Sequence, residues 1–519
     1  MPRLDETLLL EGVSSPSQPE QLAAIGTLFG LAPALPSHSR VLELGCSAGG
    51  NLIPLASRYP NAVFLGVDPR KEYVEMGRQT IQALGLKNIK LYEADFTALR
   101  PSKQKFDYII CHDRYSRATA SAQDAILKLI NENLAEQGVA YVSYHVYPGW
   151  KQREVVRDAM TFQIDKIDQP AQKLDKAREV FALLHNASDA SSGFGQVLRD
   201  HAKIVSEAPD RTFFREYFDE EIRPCYFREF IASAQEYQLG FLGEARITDI
   251  VLRGFDDRVV DALKKLSGGN ILETQQYLDF FNNRSFRQTL LIHRAAMKRV
   301  KRTVSLLSLR PFLFSSALAP TRQALIETQE EMEFRDSAGR SVKLDSPLLK
   351  AMLMTFFESY PRALALEDLL EGIRNRLGRN FVLADAESKK IGDVLLSFTL
   401  DGAVFLHPEP TARSNFDPSM PMAFSPARYL ASKNVLTVLN QRHEIVELSE
   451  IDAQILALLD GKTQIDELAR ALVESTVQGT LTLMRDNIRL SDATEIFPIV
   501  EKLLAESLKK FRRLALLIL

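Results

Sequence analysis

Three acidic residues close to the ends of successive apolar runs are the first feature of this chain with chemical content. Glu43 lies in VLELGCSAGGN (residues 41–51), Asp68 ends AVFLGVD, and Asp95 lies in LYEADF. The first run breaks into small residues, which let backbone approach a bound ligand closely. A dinucleotide fingerprint, G-x-G-x-x-G, would seat a pyrophosphate on a helix N-terminus. Here the glycines are Gly45, Gly49 and Gly50, and that spacing does not fit. An acid two residues before the first glycine suits a ligand that lacks pyrophosphate and carries an ammonium and a sulfonium. S-adenosyl-L-methionine is such a ligand.

On that reading the loop contacts are Glu43, Gly45, Cys46, Ser47 and Asn51. Asp68 can accept both ribose hydroxyls. Asp95 can accept the adenine amino group, with Phe96 available for ring contact. His112, in FDYIICHD, reaches the same crevice. Each has a plainer alternative: a strand-helix turn at the loop, a helix cap at either aspartate, a packing or capping role for the histidine.

The elements that must position these groups alternate between Arg40 and Trp150. VLELG, AVFLGVD, IKLYEAD, FDYIICHD and VAYVSYHVYP read as strands. Helices are expected over NLIPLASRYP, over KEYVEMGRQTIQALG, and over AILKLINENLAEQG up to Gly138. The strands are apolar almost throughout, as in a parallel sheet covered on both faces. The expected fold is α/β, a Rossmann-like doubly wound sheet whose ligand lies at the C-terminal strand ends.

Beyond Trp150 the character changes. A mainly helical stretch is expected to about 330, with signals in RTFFREYFDEEI, CYFREFIASAQEYQLG and NILETQQYLDFFNNRSFRQTLLIHRAAMKRV, and a surface loop within 185–200. An α+β, winged-helix-like C-terminal region follows. It has a hairpin in MEFRDSAGRSVKL turning at Ala338-Gly339, and a second in VLLSFTLDGAVFLH turning at Asp401-Gly402. HPEPTARSNFDPSMPMAFSPAR, with five prolines, reads as a linker, and IDAQILALLDGKTQIDELARALV as two short helices about Gly461. That pair has a helix-turn-helix look, but acids outnumber bases there, so nucleic acid is not expected as a partner.

The 519 residues call for about two to four domains. An apolar fraction of 45% with 25% charged residues is an ordinary globular balance. A net charge of −3 offers no pull toward nucleic acid or acidic membrane. Cys46, Cys111 and Cys225 lie far apart with no Cys/His cluster, which argues for a reducing compartment and against a metal site. The N-terminus does not read as a signal peptide, and no run approaches the roughly 18 apolar residues of a membrane span. A cytoplasmic protein is expected. The terminal LALLIL calls for burial or a partner contact.

ExGxxxGGN, GVD, EADF and FDYIICH together resemble class I S-adenosylmethionine-dependent methyltransferases. YHVYPGW (residues 144–150) looks like the NTYPGW segment of bacterial methyltransferases carrying a methyltransferase regulatory domain. EYFDEEIRPCYFREFIASAQEYQLGFLGEA, QQYLDFFNNRSFRQTLLIH and NQRHEIVELSEIDAQILALLDG are similar to further signatures of that family. The likeness covers most of the chain and points toward the rickettsial outer-membrane-protein lysine methyltransferases. It implies a methyltransferase domain at 1–160, a helical regulatory and dimerisation region at 161–330, and a C-terminal domain at 331–519. It also implies a homodimer, and a protein substrate of the outer membrane or surface.

The acceptor side departs from that pattern. Where relatives run H-G-[apolar]-[aromatic]-S-W-V, this chain has HDRYSRA, placing Asp113 for Gly and Arg117 for Trp. The Asn-Thr pair is His145-Val146. Tyr115, Tyr144, His145, Tyr147 and Trp150 are expected to line the acceptor side, since aromatic faces favour an ammonium and His145 could take a proton. Core packing is the competing explanation for each aromatic residue. Two other functions compete with methyl transfer: a scaffold that binds cofactor without transferring methyl, and a nicotinamide oxidoreductase.

Overall fold

Apolar runs separated by helix-forming segments fold, in the computed structural model, into a seven-stranded sheet. The structure describes residues 6–518 apart from 163, 165, 166, 168, 219–221, 251, 253, 254, 323–325, 337, 338, 379–384, 411–418, 480, 486 and 487. The strands are β1 (Arg40–Leu44), β2 (Val63–Asp68), β3 (Ile89–Glu93), β4 (Phe106–Cys111), β5 (Leu134–His145), β6 (Leu239–Glu244) and β7 (Phe286–His293). Their order is β3-β2-β1-β4-β5-β7-β6. β1 to β5 pair in parallel, and β7 runs antiparallel to both β5 and β6. The order reverses at β1, between β2 and β4, so the crevice beyond the carboxyl end of β1 is the topological switch point where such sheets bind ligands.

Helices α1 (Pro19–Leu28), α2 (Leu52–Arg58), α3 (Lys71–Ala83) and α4 (Ala120–Asn133) accompany these strands. α4 stops at Asn133 rather than at Gly138, and β5 starts five residues earlier than the apolar run suggests. Gly138 serves strand packing instead of ending a helix. A Cβ there would come 2.8 Å from Leu134 Cδ1 and 2.9 Å from the Asp107 carbonyl oxygen.

The middle region supplies α5 (Trp150–Thr161), α6 (Pro170–Ala187), α7 (Gly193–Glu207), α8 (Asp210–Tyr217), α9 (Phe227–Glu236), α10 (Asp257–Leu266) and α11 (Ile271–Phe281). α5 to α8 bury their own cluster, with Met160, Phe181, Leu198, Phe213 and Tyr217 inside it. The surface loop expected within 185–200 shrinks to 188–192, because Ser192 caps α7, its Oγ accepting the Gly195 N–H at 3.0 Å. Two stretches read as helix continuations become β6 and β7. Gln238 (φ +57°) and Asn283 (φ +45°) take the left-handed conformation just after α9 and α11, and this ends each helix.

The added strands bring a buried charge with them. Arg287 on β7 has no exposed side-chain surface. Its guanidinium donates to Asp279 of α11 at 2.9 and 3.0 Å, to Glu244 of β6, and to the Gln275 carbonyl at 2.8 Å. The Phe227 ring lies 3.9 Å beneath it. A buried guanidinium is tolerated only when its donors are partnered in this way. Asp279, Gln275 and Arg287 all come from the single stretch QQYLDFFNNRSFRQTLLIH.

The C-terminal region contains β8 (Leu313–Ser315), β9 (Ala319–Pro320), β10 (Met332–Arg335), β11 (Ser341–Leu344), α12 (Pro347–Ser359), α13 (Leu366–Leu377), α14 (Asp385–Leu400) and β12 (Phe405–His407). The hairpin of β10 and β11 forms, with Phe334 opposite Val342; Gly339 turns it at φ +83°, while Ala338 lies outside the described residues. The hairpin expected over 394–407 does not form. Ile391, Leu395 and Thr399 recur every four residues and are buried on one helical face, so the segment to Leu400 is the end of α14. Only Phe405–His407 is extended, pairing antiparallel with β8.

Residues 411–418 of the proline-rich linker lie outside the described residues. The winged-helix part follows, with α15 (Ser425–Ser432), β13 (Thr437–Leu439), β14 (Ile445–Glu447), α16 (Glu450–Leu458), α17 (Ile465–Gln478), β15 (Met484–Arg485), β16 (Ile488–Arg489) and α18 (Ala493–Arg513). α16 and α17 flank Gly461 as the sequence predicts. Ala515, Leu516 and Leu517 of the terminal apolar run are buried, and the Leu516 carbonyl accepts the Phe424 N–H at 2.7 Å. Among the described residues no helix is long and apolar enough to cross a membrane.

Candidate active site

β1 and β2 end side by side, with Leu44 opposite Val67, and this brings Glu43 and Asp68 to one crevice. The loop after β1 turns through Gly45 (φ +82°), Ser47 (φ +52°) and Gly49 (φ +81°). The Gly45 and Cys46 N–H groups both donate to the Val67 carbonyl, at 2.7 and 3.1 Å. The loop is therefore strapped to the end of β2.

Glu43 is buried, and its Oε1 accepts from Asn51 Nδ2 at 3.0 Å. Among the described residues its Oε2 has no hydrogen-bond partner. Burial pushes its carboxyl up to about 8, against the Asn51 hydrogen bond and the Arg114 charge. Asp68 is also buried, and it accepts the Ser47 N–H at 2.9 Å. Arg70 forks onto it at 2.9 and 3.0 Å. Burial works to raise the Asp68 carboxyl, but the bonds and charge of Arg70 prevail and hold it below the usual range.

Arg114 lies across the loop. Its Nε donates to the Gly45 carbonyl at 3.3 Å, and its Nη2 is 3.9 Å from Asp68. A Cβ on Gly45 would meet Arg114 Cγ at 2.3 Å, so glycine is required for this approach. Ser47 Oγ reaches Glu11 at 3.3 Å, and Glu11 pairs with Arg211 of α8 at 2.8 Å. Arg211 also donates to the Tyr73 hydroxyl at 2.6 Å, closing this side with a residue of the helical region.

The remaining expected contacts are spread more widely. The Cys46 side chain turns inward, and a Cβ on Gly66 would lie 2.7 Å from its Sγ. Asp95 is exposed just beyond β3 and caps the short turn after it, accepting from Thr97 N and Oγ1 at 2.7 Å each. Phe96 is half-buried against the core. His112 Nδ1 lies 3.0 Å from both Tyr141 Oη and Ser143 Oγ, and burial lowers its imidazole to about 4.

The acceptor candidates separate by strand geometry. Successive β5 side chains point to opposite faces. Tyr144 faces the core, stacked on Phe230 at 3.9 Å, with its hydroxyl 3.0 Å from Thr289 Oγ1. Tyr115 is buried beside it, edge-on to Phe230. These two rings are spent in packing. His145 faces the other way with Tyr141 and Ser143, its ring 3.9 Å from that of Trp150 and 5.3 Å from that of Phe286. Tyr147 is half-buried, and its hydroxyl donates to Glu154 at 2.7 Å. Gly149 makes a close turn, since a Cβ there would lie 2.2 Å from the Asn283 carbonyl oxygen.

Asp113, Arg117 and His145, three of the residues set apart from the family pattern the sequence resembles, meet here. Asp113 (φ +51°) stands 3.2 Å from Arg117 Nε and 3.5 Å from His145 Nε2. Burial works to raise the Asp113 carboxyl, yet His145, Arg117 and Arg215 hold it far below the usual range. Burial lowers the His145 ring from its ordinary value, against the hydrogen bond and charge of Asp113. Arg117 also donates to the Arg215 carbonyl at 2.7 Å and lies 3.7 Å from Glu216, which pairs with Arg153 over the Trp150 ring. α8 thus covers the acceptor side too.

Sequence reasoning missed several groups. Arg70 stands two residues after Asp68, and Arg114 sits inside the altered loop, so both were within reach. Tyr141 and Ser143 follow from counting back from His145 by two. Nothing in the sequence points to His443, which belongs to the turn between β13 and β14. Its Nε2 lies 2.5 Å from Asn51 Oδ1.

The orphaned Glu43 oxygen, the paired strand-end carboxylates and the glycine turn fit a cationic nucleoside better than a dinucleotide. Comparison with known proteins agrees. Residues 35–190 match a methyltransferase domain, 209–293 a "predicted methyltransferase regulatory domain", and 419–516 the "PKMT, C-terminal winged helix domain". The chain is 29% identical over 512 residues to an uncharacterized protein of Rickettsia prowazekii, covering 97% of this chain and 91% of that one. A second uncharacterized protein of that organism is 34% identical over 223 residues, 43% of this chain and 89% of its own length. Among solved structures, PKMT2 from Rickettsia typhi in complex with AdoHcy is similar at 28% identity and a TM-score of 0.86. That match covers 97% of this chain and 99% of that one. A second structure of PKMT2 from Rickettsia typhi is similar at 28% identity and a TM-score of 0.88, covering 98% of this chain and 99% of that one.

Proposed function

We propose that this chain, which belongs to the S-adenosylmethionine-dependent methyltransferases carrying a regulatory domain and a PKMT-type C-terminal winged helix, methylates lysine side chains of a protein. The observation that carries the lysine reading is the similarity to PKMT2 over nearly the whole length of both chains. The cofactor is S-adenosyl-L-methionine. Glu43, Ser47, Asn51 and Asp68 are the residues we assign to hold it, with Asp95 and Phe96 at the outer edge and His112 at the inner.

When bound, the cofactor would supply a methyl on its sulfonium, the amine nitrogen gaining the N–C bond as the S–C bond is lost and that bond's electron pair stays on sulfur. The protein contributes alignment, potentially worth ~7–11 kcal/mol. A lysine must first lose a proton from a pKa of about 10.4. Burial near a cation lowers that value. His145, held against Trp150 with Asp113 3.5 Å from its Nε2, is the group we assign to receive the proton. Half-buried Tyr147 is the ring we assign to face an ammonium, since buried Trp150 already has His145 and Arg153 against its ring. Tyr115 and Tyr144 are left to the core.

The test is transfer of tritiated methyl from cofactor to lysate proteins, followed by hydrolysis and identification of the labelled amino acid. Label on methyl-lysine supports the reading, and label on another residue redirects it. Tight cofactor binding with no labelled product would favour a binding scaffold, a reading to which the clamped Asp113–Arg117 pair under α8 lends itself.

A homodimer, a cytoplasmic location and an outer-membrane or surface protein as substrate extend the same proposal. For the dimer the support is apolar exposure on the helical region, where Phe162 is 82% and Leu183 68% exposed. Sedimentation of the full chain, expected at twice the monomer mass, checks it.

A further inference from the structure

We propose that His443 is a positioning residue for the cofactor loop, so that the C-terminal winged-helix domain sets cofactor affinity. The inference rests on assigning the Glu43–Asn51 loop to the cofactor. Asn51 is the hub. Its Oδ1 is approached by His443 Nε2 at 2.5 Å, by the Ser14 N–H at 3.3 Å and by Ser17 Oγ at 3.4 Å. Its Nδ2 donates to Glu43 Oε1 at 3.0 Å and to Ser17 Oγ at 3.1 Å. A backbone N–H can only donate, so the atom shared by Ser14 and His443 is the amide oxygen. His443 must then carry its proton on Nε2.

This fixes the Asn51 amide with its N–H groups toward Glu43. Without the His443 donor only the longer Ser14 and Ser17 contacts, at 3.3 and 3.4 Å, hold the amide oxygen in place, and a turned amide would set an oxygen instead of a donor against Glu43 Oε1. Among the described residues Glu43 already has one buried oxygen without a partner. Loss of the second would work against the ionised form that a cationic ligand needs.

The turn that presents His443 is built for the purpose. Asn440 Oδ1 accepts the N–H groups of Arg442 and Glu444 at 2.9 Å each, closing a tight loop between β13 and β14. His443 itself sits at φ +63°, a conformation that favours glycine. A side chain kept at such a position is explained by the contact it makes. Here that contact is wholly buried, and burial lowers the ring to about 3, so it stays a neutral donor at physiological pH. Ser15 Oγ donates to the His443 carbonyl at 2.5 Å, and Gln441 Nε2 to the Leu517 carbonyl at 2.5 Å. The turn is thus tied both to the N-terminal segment over the loop and to the end of the chain.

Titration of the full chain with S-adenosylhomocysteine tests this with three variants. His443→Leu should bind about tenfold more weakly, the scale of one lost buried hydrogen bond. In turnover its KM for cofactor should rise by a similar factor, with kcat within roughly threefold. His443→Gln, which keeps a donor, should recover most of the affinity. Asp68→Ala tests the loop assignment by itself. If Asp68→Ala binds as wild type, the loop assignment fails; if it weakens while His443→Leu binds as wild type, the His443 inference alone fails. Should His443→Leu not fold, hydrogen exchange on the wild type decides. By reciprocity the ligand must slow exchange in residues 440–447, and unchanged exchange there overturns the proposal.

Discussion

Asp113 and Arg117 hold one another, with Arg117 Nε 3.2 Å from Asp113 Oδ2. The Arg117 side chain is 5% exposed, so this pair belongs to the interior edge of the site rather than to its surface. Arg117→Trp alone should destabilise the protein by about 2 kcal/mol, less than the 3–5 kcal/mol of a fully buried pair, because Asp113 keeps partial contact with water. Asp113→Gly with Arg117→Trp should recover most of that loss, since glycine also relieves the positive φ. Thermal melting of the two single variants and the double variant measures the coupling; strict additivity would mean the pair carries no shared energy.

Cofactor binding should release a proton from Glu43. Its carboxyl is raised to about 8, so at pH 7 the free protein holds it mostly protonated. A cationic ligand favours the ionised form, so affinity should increase as pH rises toward 8. Calorimetry at pH 7 in two buffers of different ionisation enthalpy should give different heats, with up to about one proton released. Glu43→Gln should abolish the difference; equal heats for the wild type would refute the linkage.

Arg114 should discriminate against the charged form of the cofactor. It lies over Gly45 and 3.9 Å from Asp68, where a sulfonium would feel its charge. Arg114→Ala should tighten S-adenosylmethionine by roughly threefold to tenfold relative to S-adenosylhomocysteine, whose sulfur is neutral. An identical effect on both ligands would indicate steric relief alone.

Glu20 should contribute to acid sensitivity. It pairs with Arg58 at 2.7 Å and with His407 at 3.0 Å, tying α1 to α2 and to β12. Burial works to raise its carboxyl, but these partners lower it from 4.5 to about 2. A depressed carboxyl stabilises the fold above its unfolded value and loses that contribution as pH falls through its folded one. The contribution, on the order of 3 kcal/mol, should be present above pH 4.5 and vanish near pH 2. Glu20→Gln should lower the melting temperature at pH 7, and the gap from wild type should close on acidification.

The strand ends were legible because they rest on local chemistry. Apolar runs of strand length ending in an acid specify both the sheet and the placement of Glu43 and Asp68. Asp95 shows the limit of the same logic: its carboxylate caps the next turn, as short-range competition with the backbone allows. Tyr144 was assigned beside His145 although strand alternation puts neighbours on opposite faces. The failed hairpin at 394–407 has a similar cause. Its Asp-Gly pair reads as a turn in either setting, and only the four-residue spacing of Ile391, Leu395 and Thr399 distinguishes a helix end.

What the sequence determined by itself is the part held by neighbours in the chain: the Gly45 turn, the acids at the ends of β1 and β2, the short helices about Gly461. What the tertiary structure decided is which distant groups complete them. Arg287 meets Glu244 and Asp279 only because β6 and β7 extend the sheet. α8 reaches the Asp113–Arg117 pair from about 100 residues away, and His443 reaches Asn51 across 392. The reason is physical. Hydrogen-bond and charge partners act over a few ångströms in space, and chain separation carries no record of that distance until the fold has formed.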